Sequence, residues 1–327
     1  MKKFLLLLSM LLSISSYSKQ QIMTNIYRNI EFDSQNATLR GRLYLPETKS
    51  VKHPVIIMAH GFTTTISGMT ADKYAERFRE AGYAVLLYDH RNLGISDGKP
   101  RQEINFWVQS RGYIDAIDFV SKQPEIDKSK IAVWGASMSS REAFLAGLID
   151  DRVKSVISMI PAFGEEMPKE NNDNSTLVFA KNTLLHDDIM SLPHTVTERI
   201  PIVSVDQIGT PSVLTDLTAY NWFIEYGGRF GTNWKNVVSF STIKAPEDLN
   251  LGECAPHLKA PILMVVATND EMNGANPKVT RAVYNTITQP KEWVDIDGGH
   301  FGLLYYPSEL FEKSSKAQID FLKRHLD

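Results

Sequence analysis

The sequence predicts an α/β protein with a mostly parallel central sheet and helices on both faces. Short apolar runs, typical of buried strands, alternate with longer amphipathic segments, typical of helices. The runs that predict strands are 55–59, 84–88, 131–134, 155–160, 262–267 and 292–296. The segments that predict helices are 70–81, 104–122, 140–148, 277–287 and 308–325. Before this unit, residues 26–32 and 38–45 alternate and predict an antiparallel hairpin at the edge of the sheet.

One long segment interrupts this alternation. Between residues 162 and 255 the strand–helix–strand pattern stops and aromatic residues become frequent. They are Tyr220, Trp222, Phe223, Tyr226, Phe230, Trp234 and Phe240. Because a structureless loop of this length is uncommon, we expect a mostly helical insertion. We interpret 162–255 as a cap, or lid, over a core of residues 25–161 and 256–327, with most rings in its own small core and a minority facing a ligand.

Composition excludes several classes of protein. The 327 residues carry a formal net charge of -3, which argues against nucleic-acid binding because that requires a basic face. The single cysteine, Cys254, excludes an internal disulfide and lies in no reactive context. We find no HExxH, no paired CxxC and no glycine-rich phosphate loop. We therefore expect neither a metal nor a cofactor.

The N-terminus has the features of a signal peptide. Lys2 and Lys3 precede an apolar run at 4–14, and small residues follow it, which predicts cleavage after Ser18. The apolar run is short for a membrane span, although a retained anchor is the alternative. We expect a signal peptide at 1–18 and an exported protein, periplasmic or secreted, without a stable membrane span after cleavage.

Ser137 is the candidate nucleophile. The apolar run at 131–134 leads into Gly135-Ala136-Ser137-Met138-Ser139, and a helix-like segment follows. Small residues two before and two after a serine allow a sharp strand-to-helix turn that exposes its hydroxyl on a strained backbone. The usual pattern is G-x-S-x-G, and Ser139 here takes the place of the second glycine.

A nucleophilic serine requires a base and an acid that orients the base. His300 follows the run at 292–296 and two glycines, so we expect it at the carboxyl edge of the sheet, beside Ser137. Asp270 follows the run at 262–267 and is the candidate acid. The order Ser…Asp…His is one of those known for this set of residues. The competing carboxylates are Glu271, Asp295, Asp297, Glu165 and Glu166.

Two backbone amides are candidates for the oxyanion hole. One is the N–H of Met138, directly after the nucleophile at the start of a helix. The other is the N–H of Phe62, in the His60-Gly61-Phe62 turn after the run at 55–59. We interpret His60 as a residue that hydrogen-bonds this loop and not as a base.

These residues resemble the α/β-hydrolase superfamily over residues 25–327. Within it, the chain is most similar to bacterial hydrolases of the dienelactone-hydrolase and X-Pro dipeptidyl-peptidase-like type. The segments that carry the resemblance are 60–62, 88–98, 135–139, 267–270 and 299–300. The resemblance implies Ser137 as nucleophile, Asp270 as acid and His300 as base, and it implies that the polar residues of 89–98 fix loops. Arg141 departs from the small residues often found there, and it could point outward, pair with a carboxylate or bind an anionic substrate group.

The resulting hypothesis is a serine hydrolase that transfers an acyl group to water in two steps. We expect a small-molecule carboxylic ester with a moderately apolar part, since the insertion is rich in aromatic residues. A peptidase of the prolyl type is an alternative, acting on a short peptide-like substrate whose amine Glu165 and Glu166 would bind. An acyltransferase or thioesterase would use the same triad. A non-enzymatic scaffold would be indicated by a missing triad member, and none is missing.

Overall fold

The computed structural model describes residues 26–48, 50–168, 174–244 and 251–327. The predicted signal peptide at 1–18 lies outside the described residues. The main sheet has eight strands in the order β1-β2-β4-β3-β6-β7-β10-β11. They are β1 Tyr27–Ser34, β2 Ala37–Tyr44, β3 His53–Ala59, β4 Ala84–Tyr88, β6 Ile126–Ala136, β7 Val153–Met159, β10 Ile262–Ala267 and β11 Lys291–Ile296.

The sheet is antiparallel at one edge and parallel elsewhere. β1 pairs with β2 in antiparallel orientation, as the alternation at the start of the chain predicts, and β2 also pairs with β4 in antiparallel orientation. The strands from β4 to β11 pair in parallel. All carboxyl ends of the parallel strands therefore meet at one edge, where ligands bind in open α/β sheets.

Helices cover both faces of the sheet. Side chains alternate along β3, so that Val55 and Ile57 face one hydrophobic cluster and Ile56 and Met58 face the other. Helices α2 Phe106–Val120, α3 Met138–Ile149 and α7 Pro277–Thr286 contribute to the first cluster. Helices α1 Ala71–Glu80 and α8 Glu309–His325 contribute to the second. The result is the doubly covered sheet that the sequence predicts.

Local sequence explains where two of these helices begin. The side chain of Asn105 accepts hydrogen bonds from the N–H groups of Trp107 and Val108 at the start of α2. The side chain of Ser308 accepts one from the N–H of Phe311 at the start of α8.

The segment 162–255 is less helical than the sequence predicts. Among the described residues it contains α4 Ser175–His186, α5 Leu217–Trp222 with a π-helical turn at Phe223–Gly227, and the short helix α6 Leu251–Cys254. It also contains two strands, β8 His194–Val196 and β9 Ser239–Ile243. Together with β5, Glu103–Ile104 of the core, they form a small sheet in the order β5-β9-β8. Side chains in β9 alternate between buried and more exposed, but the run is too short to be distinguished by pattern alone.

Within the described ranges, no helix combines the length and the apolar character that crossing a membrane requires.

Candidate active site

Three connections at the carboxyl edge of the sheet hold the candidate triad. Ser137 directly follows β6, Asp270 lies three residues beyond β10, and His300 lies four residues beyond β11. In the sheet, β7 separates β6 from β10, and β11 lies next to β10. The sequence places these residues far apart, and the parallel order of the strands brings them to the same edge.

The turn at Ser137 is strained and tightly packed. Ser137 has φ 56° and ψ −121°, a conformation that non-glycine residues rarely adopt and that costs about 1–3 kcal/mol. A Cβ at Gly135 would lie 2.0 Å from the backbone oxygen of Ser139, so only glycine allows the helix to begin this close to the strand. The small residues around Ser137 therefore allow the sharp strand-to-helix turn that the sequence predicts.

The three side chains form a continuous hydrogen-bonded chain. The Nε2 atom of His300 lies 2.9 Å from the Oγ atom of Ser137, and its Nδ1 atom lies 2.8 Å from Oδ2 of Asp270. The other oxygen of Asp270 accepts a hydrogen bond from the N–H of Met272 at 3.0 Å. The side chains of Asp270 and His300 are almost fully buried, so water competes little for these contacts. This arrangement is suited to move a proton from the hydroxyl to the imidazole.

Three of the competing carboxylates, Glu271, Asp295 and Asp297, bind other groups. Glu271 accepts a hydrogen bond from the backbone N–H of His300 at 2.7 Å and one from the hydroxyl of Thr218 at 2.7 Å. Asp295 accepts from the indole N–H of Trp293, and Asp297 accepts from the side-chain amide of Asn269. Glu271 thus holds the loop that carries the base but does not contact its ring.

The Phe62 amide is free and has a fixed orientation. The carbonyl of Gly61, in the same peptide unit, accepts hydrogen bonds from the N–H of Thr64 at 3.2 Å and from its hydroxyl at 2.8 Å. Because C=O and N–H point in opposite directions in a trans peptide, the Phe62 N–H points away from Thr64. It has no hydrogen-bond partner among the described residues. A Cβ at Gly61 would lie 2.8 Å from the carbonyl oxygen of Ala136, so this loop presses against the turn that carries the nucleophile.

The Met138 amide is held in the same manner. The carbonyl of Ser137 accepts hydrogen bonds from the N–H of Ser140 at 3.0 Å, from its hydroxyl at 2.5 Å and from the N–H of Ala162 at 3.3 Å. The N–H of Met138 lies on the opposite side of this peptide unit and has no partner within the described part of the chain. Two unpaired amides, each fixed through its own peptide carbonyl, thus belong to residues that line the same cavity as Ser137. Such a pair can stabilise an oxyanion.

His60 fixes the loop that carries Phe62. Its Nδ1 atom accepts a hydrogen bond from the N–H of Gly61 at 2.9 Å, and its Nε2 atom donates one to the carbonyl of Met69. Burial lowers the pKa of His60 to about 4, so the ring is neutral at pH 7 and can accept at Nδ1. This geometry agrees with its interpretation as a loop-binding residue.

The segment 89–98 fixes loops, as the resemblance implies. The carboxylate of Asp89 accepts hydrogen bonds from the N–H groups of Ile66 and Ile95. Sequence reasoning missed His90, which lies behind the nucleophile and contacts the hydroxyl of Ser139 at 3.1 Å. Arg141 stacks on the ring of Phe106, with 4.9 Å between its guanidinium carbon and the ring centre, and does not line the cavity at Ser137.

A cavity of about 330 Å³ opens at Ser137 and His300. The insertion contributes Val213, Leu214, Trp222, Phe223 and Phe240 to its wall. Phe240 stacks on Phe62 with 5.8 Å between ring centres, whereas Phe230 is fully exposed. Glu165 and Asp216 also line the cavity, but Glu166 does not. The cavity is thus mostly apolar, with a small number of polar groups, as is usual for small-molecule sites.

Neither a metal-binding cluster nor a reactive thiol is found among the described residues. No group of three or more His, Cys, Asp or Glu side chains is arranged to hold a metal ion within the described ranges. Cys254 is buried, and burial raises its pKa to about 11, which makes the thiolate a minor form at neutral pH.

The fold and this site define an α/β hydrolase of the serine type. The solved structure of an α/β hydrolase, GrgF from Penicillium sp. sh18, superposes with a TM-score of 0.68 at 25% sequence identity, covering 92% of this chain and 99% of that one. The family model of the X-Pro dipeptidyl-peptidase (S15 family) matches residues 35–206. The chain belongs to this family and is a hydrolase.

Relatives agree with this classification over nearly the full length. Thiohydrolase aneE from Aspergillus aculeatus is 30% identical over 311 residues, 91% of this chain and 93% of the relative. The quorum-quenching protein AidA from Acinetobacter baumannii is 29% identical over 299 residues, 90% of this chain and 94% of the relative. These two names do not share one reaction, so the comparison defines the family but not a substrate.

Proposed function

We propose that this protein cleaves carboxylic esters through an acyl-enzyme intermediate on Ser137. The observation that carries the proposal is the Ser137–His300–Asp270 chain, with contacts of 2.9 and 2.8 Å, at the mouth of an apolar cavity. No further group is required for this chemistry.

In this mechanism Ser137 attacks the substrate carbonyl while Nε2 of His300 takes the hydroxyl proton. Asp270 keeps the remaining ring proton on Nδ1 and stabilises the imidazolium that forms. The amides of Phe62 and Met138 donate hydrogen bonds to the oxyanion, each worth about 3–4 kcal/mol of barrier. His300 then protonates the leaving alcohol, and water repeats the sequence to release the acid.

The cavity supports an ester with an apolar acyl or alcohol group. Its volume of about 330 Å³ lies at the lower end of the range for small-molecule sites, and aromatic side chains of the insertion form much of its wall. We propose that the insertion at 162–255 acts as the cap of the core formed by 25–161 and 256–327.

A thioester is the second candidate substrate. It is supported by the thiohydrolase name of a relative that is 30% identical over 91% of this chain. The same triad and oxyanion donors serve thioesters, since only the leaving group differs.

A substrate with a free amine, as in prolyl peptidases, has weaker support. Glu165 and Asp216 line the cavity, and no ion pair to either is found among the described residues. Glu166 does not line it, so the pair expected from sequence would have to be replaced by Glu165 and Asp216.

The test is a panel of substrates that represents the three candidate bond types. It comprises p-nitrophenyl esters of increasing acyl length, thioesters with the same acyl groups, and X-Pro p-nitroanilides. We expect the highest kcat/KM on esters and its loss in Ser137→Ala at unchanged Tm. Higher kcat/KM on thioesters or on anilides would transfer the function to the corresponding alternative, and full activity of Ser137→Ala would refute the mechanism.

We also propose that the protein is exported and cleaved after Ser18. Support comes from the two lysines, the apolar run and the small residues at the N-terminus. N-terminal sequencing of the protein recovered from outside the cytoplasm should begin at Lys19. An intact N-terminus would instead indicate a retained anchor.

A further inference from the structure

A buried chain of polar groups lies behind the nucleophile. The hydroxyl of Ser139 donates a hydrogen bond to the carbonyl of His60 at 2.5 Å. Because this hydroxyl has a single proton, it accepts from Nε2–H of His90, which lies 3.1 Å from it. The Oε2 atom of Glu142 lies 3.1 Å from the same nitrogen. Ser139, His90, His60 and Glu142 are each at most 2% exposed.

Glu142 explains which ring nitrogen of His90 carries the proton. A carboxylate oxygen and a hydroxyl lone pair both face Nε2, so a proton on this atom makes both contacts attractive. The two oxygens of Glu142 and the Nδ1 atom of His90 make no hydrogen bond within the described residues, so the 3.1 Å approach of Glu142 to Nε2 is an electrostatic contact and not a hydrogen bond. A buried carboxylate that is otherwise unpartnered is costly, and its position beside His90 therefore calls for a role.

The chain ends on the loop that carries an oxyanion donor. The carbonyl that Ser139 binds belongs to the peptide unit between His60 and Gly61, and the ring of His60 binds the N–H of that unit. The next peptide unit presents the free N–H of Phe62. The C=O and the N–H of the His60–Gly61 peptide are therefore both held. Because only the Cα atom of Gly61 separates this peptide from the next one, its orientation also limits the direction of the Phe62 N–H.

We propose that Ser139, His90 and Glu142 are positioning residues for the oxyanion hole. In this proposal, which rests on the proposed serine mechanism, Ser139 is more than a small residue that fits the turn. Its hydroxyl holds the His60–Gly61 peptide so that the Phe62 N–H is directed at the oxyanion. His90, itself oriented by Glu142, fixes the direction of that hydroxyl. None of the three contacts the substrate.

Replacement of Ser139 separates this role from a purely steric one. Ser139→Ala keeps the size and removes the hydroxyl, whereas Ser139→Gly restores the residue usual at this position of the turn. We expect both variants to lower kcat on a p-nitrophenyl ester roughly 10- to 100-fold at nearly unchanged KM, because a misdirected donor weakens binding of the transition state only. Affinity for a boronic acid inhibitor, which mimics the tetrahedral intermediate, should fall by the same factor.

The control is Ser155→Ala. Ser155 is also fully buried, lies on β7 and has a hydroxyl without a partner among the described residues. We expect its kcat to stay close to that of the unaltered protein. Wild-type kcat in Ser139→Gly would overturn the proposal, and so would a loss of kcat in Ser155→Ala as large as that in Ser139→Ala.

His90 and Glu142 are tested through their dependence on Ser139. His90→Gln retains a donor and should keep kcat within about threefold, whereas His90→Phe should match the loss in Ser139→Ala. Because His90 acts through Ser139, the double variant Ser139→Ala/His90→Phe should lose no more than either single variant. Glu142→Gln should cause a smaller loss that also disappears in the Ser139→Ala background. Additive losses would overturn the proposal.

If His90→Phe does not fold, the kcat of Ser139→Gly alone tests the positioning role. Ser137→Ala distinguishes the two proposals, because full activity there refutes the serine mechanism itself. An inactive Ser137→Ala together with a fully active Ser139→Gly refutes only the positioning role.

Discussion

Two histidines lie on opposite sides of the turn at Ser137, and their surroundings differ. On the front side, His300 faces the cavity, and both of its ring nitrogens have partners in Asp270 and Ser137. On the back side, His90 is buried, and its Nδ1 atom has no partner within the described residues. On the front side, His300 and Asp270 hold a proton that can move to a substrate. On the back side, His90 and Glu142 hold the hydroxyl of Ser139, which supports a loop.

The difference shows why a histidine beside a carboxylate does not by itself define a base. Each imidazole lies near a carboxylate, at 2.8 Å for His300 and 3.1 Å for His90. Only His300 also lines the cavity and contacts the strained serine. Access to a substrate and the neighbour on the second nitrogen decide the chemistry, not the ion-pair distance.

The largest expected effect is the loss of kcat when Asp270, on the front side, is replaced. In Asp270→Asn the Met272 N–H retains the amide oxygen, so the new NH₂ group faces Nδ1 of His300. The ring proton must then lie on Nε2, where it cannot accept from Ser137. We expect kcat to fall roughly 10³- to 10⁴-fold, measured on the best ester of the panel.

Asp297→Asn is the matched control for this substitution. Asp297 is exposed and contacts the side chain of Asn269 instead of the imidazole. A surface substitution of this kind should leave kcat within about twofold. A larger loss of kcat in Asp297→Asn than in Asp270→Asn would show that Asp270 is not the acid.

The next effect concerns His60, between the two sides, and appears as a dependence of stability on pH. Its pKa is about 4 in the folded protein and near its ordinary value of 6.5 in the unfolded chain. Between these values the unfolded chain binds a proton that the folded protein does not, so stability is lost as the pH falls from 6.5 towards 4. The loss is on the order of 3 kcal/mol for this group.

Denaturant unfolding at several pH values measures this loss. His60→Asn should flatten the slope of the unfolding free energy against pH by about one proton in this window. Other groups contribute equally to both proteins, so the difference in slope isolates His60. An identical slope in the two proteins would show that this ring is not the group that titrates.

The smallest expected effect concerns Glu271, a core residue that joins the front side to the insertion. Its carboxylate joins the N–H of His300 to the hydroxyl of Thr218 at the start of α5. Glu271→Ala releases both contacts, and displacement of the base should lower kcat roughly 10- to 100-fold. Glu271→Gln can keep one acceptor and offer its NH₂ to Thr218, so we expect a change within about threefold.

Thr218→Val separates the two contacts of Glu271. It removes the bond to the insertion and leaves the bond to His300, so it should change KM more than kcat. A loss of kcat in Thr218→Val equal to that in Glu271→Ala would show that the insertion, and not the carboxylate, positions the base.

The main sheet and the candidate triad were predictable because their signals are local. Buried strands appear as continuous apolar runs, and Ser137, Asp270 and His300 each follow the end of a strand within four residues. Parallel order then places them at a common edge. The structure brings the three together, and their catalytic roles and the boundaries of the cap stay predictions until they are tested.

The small sheet and the back side were not predictable, because they depend on distant contacts. β5 has two residues and exists only through its pairing with β9. His90 lies in a segment whose pattern indicates loop fixing, and nothing local shows that its ring reaches Ser139. Glu142 directly before the apolar remainder of its helix was the available signal, since a buried carboxylate is rarely without a partner.

The most direct test of the account is the site of covalent labelling by a fluorophosphonate. This reagent reacts with a serine hydroxyl only where a base and oxyanion donors activate it. Peptide mapping by mass spectrometry should find one adduct, on Ser137, with none in Ser137→Ala and slow formation in Asp270→Asn. An adduct on another residue, or equal labelling of Ser137→Ala, would contradict the account.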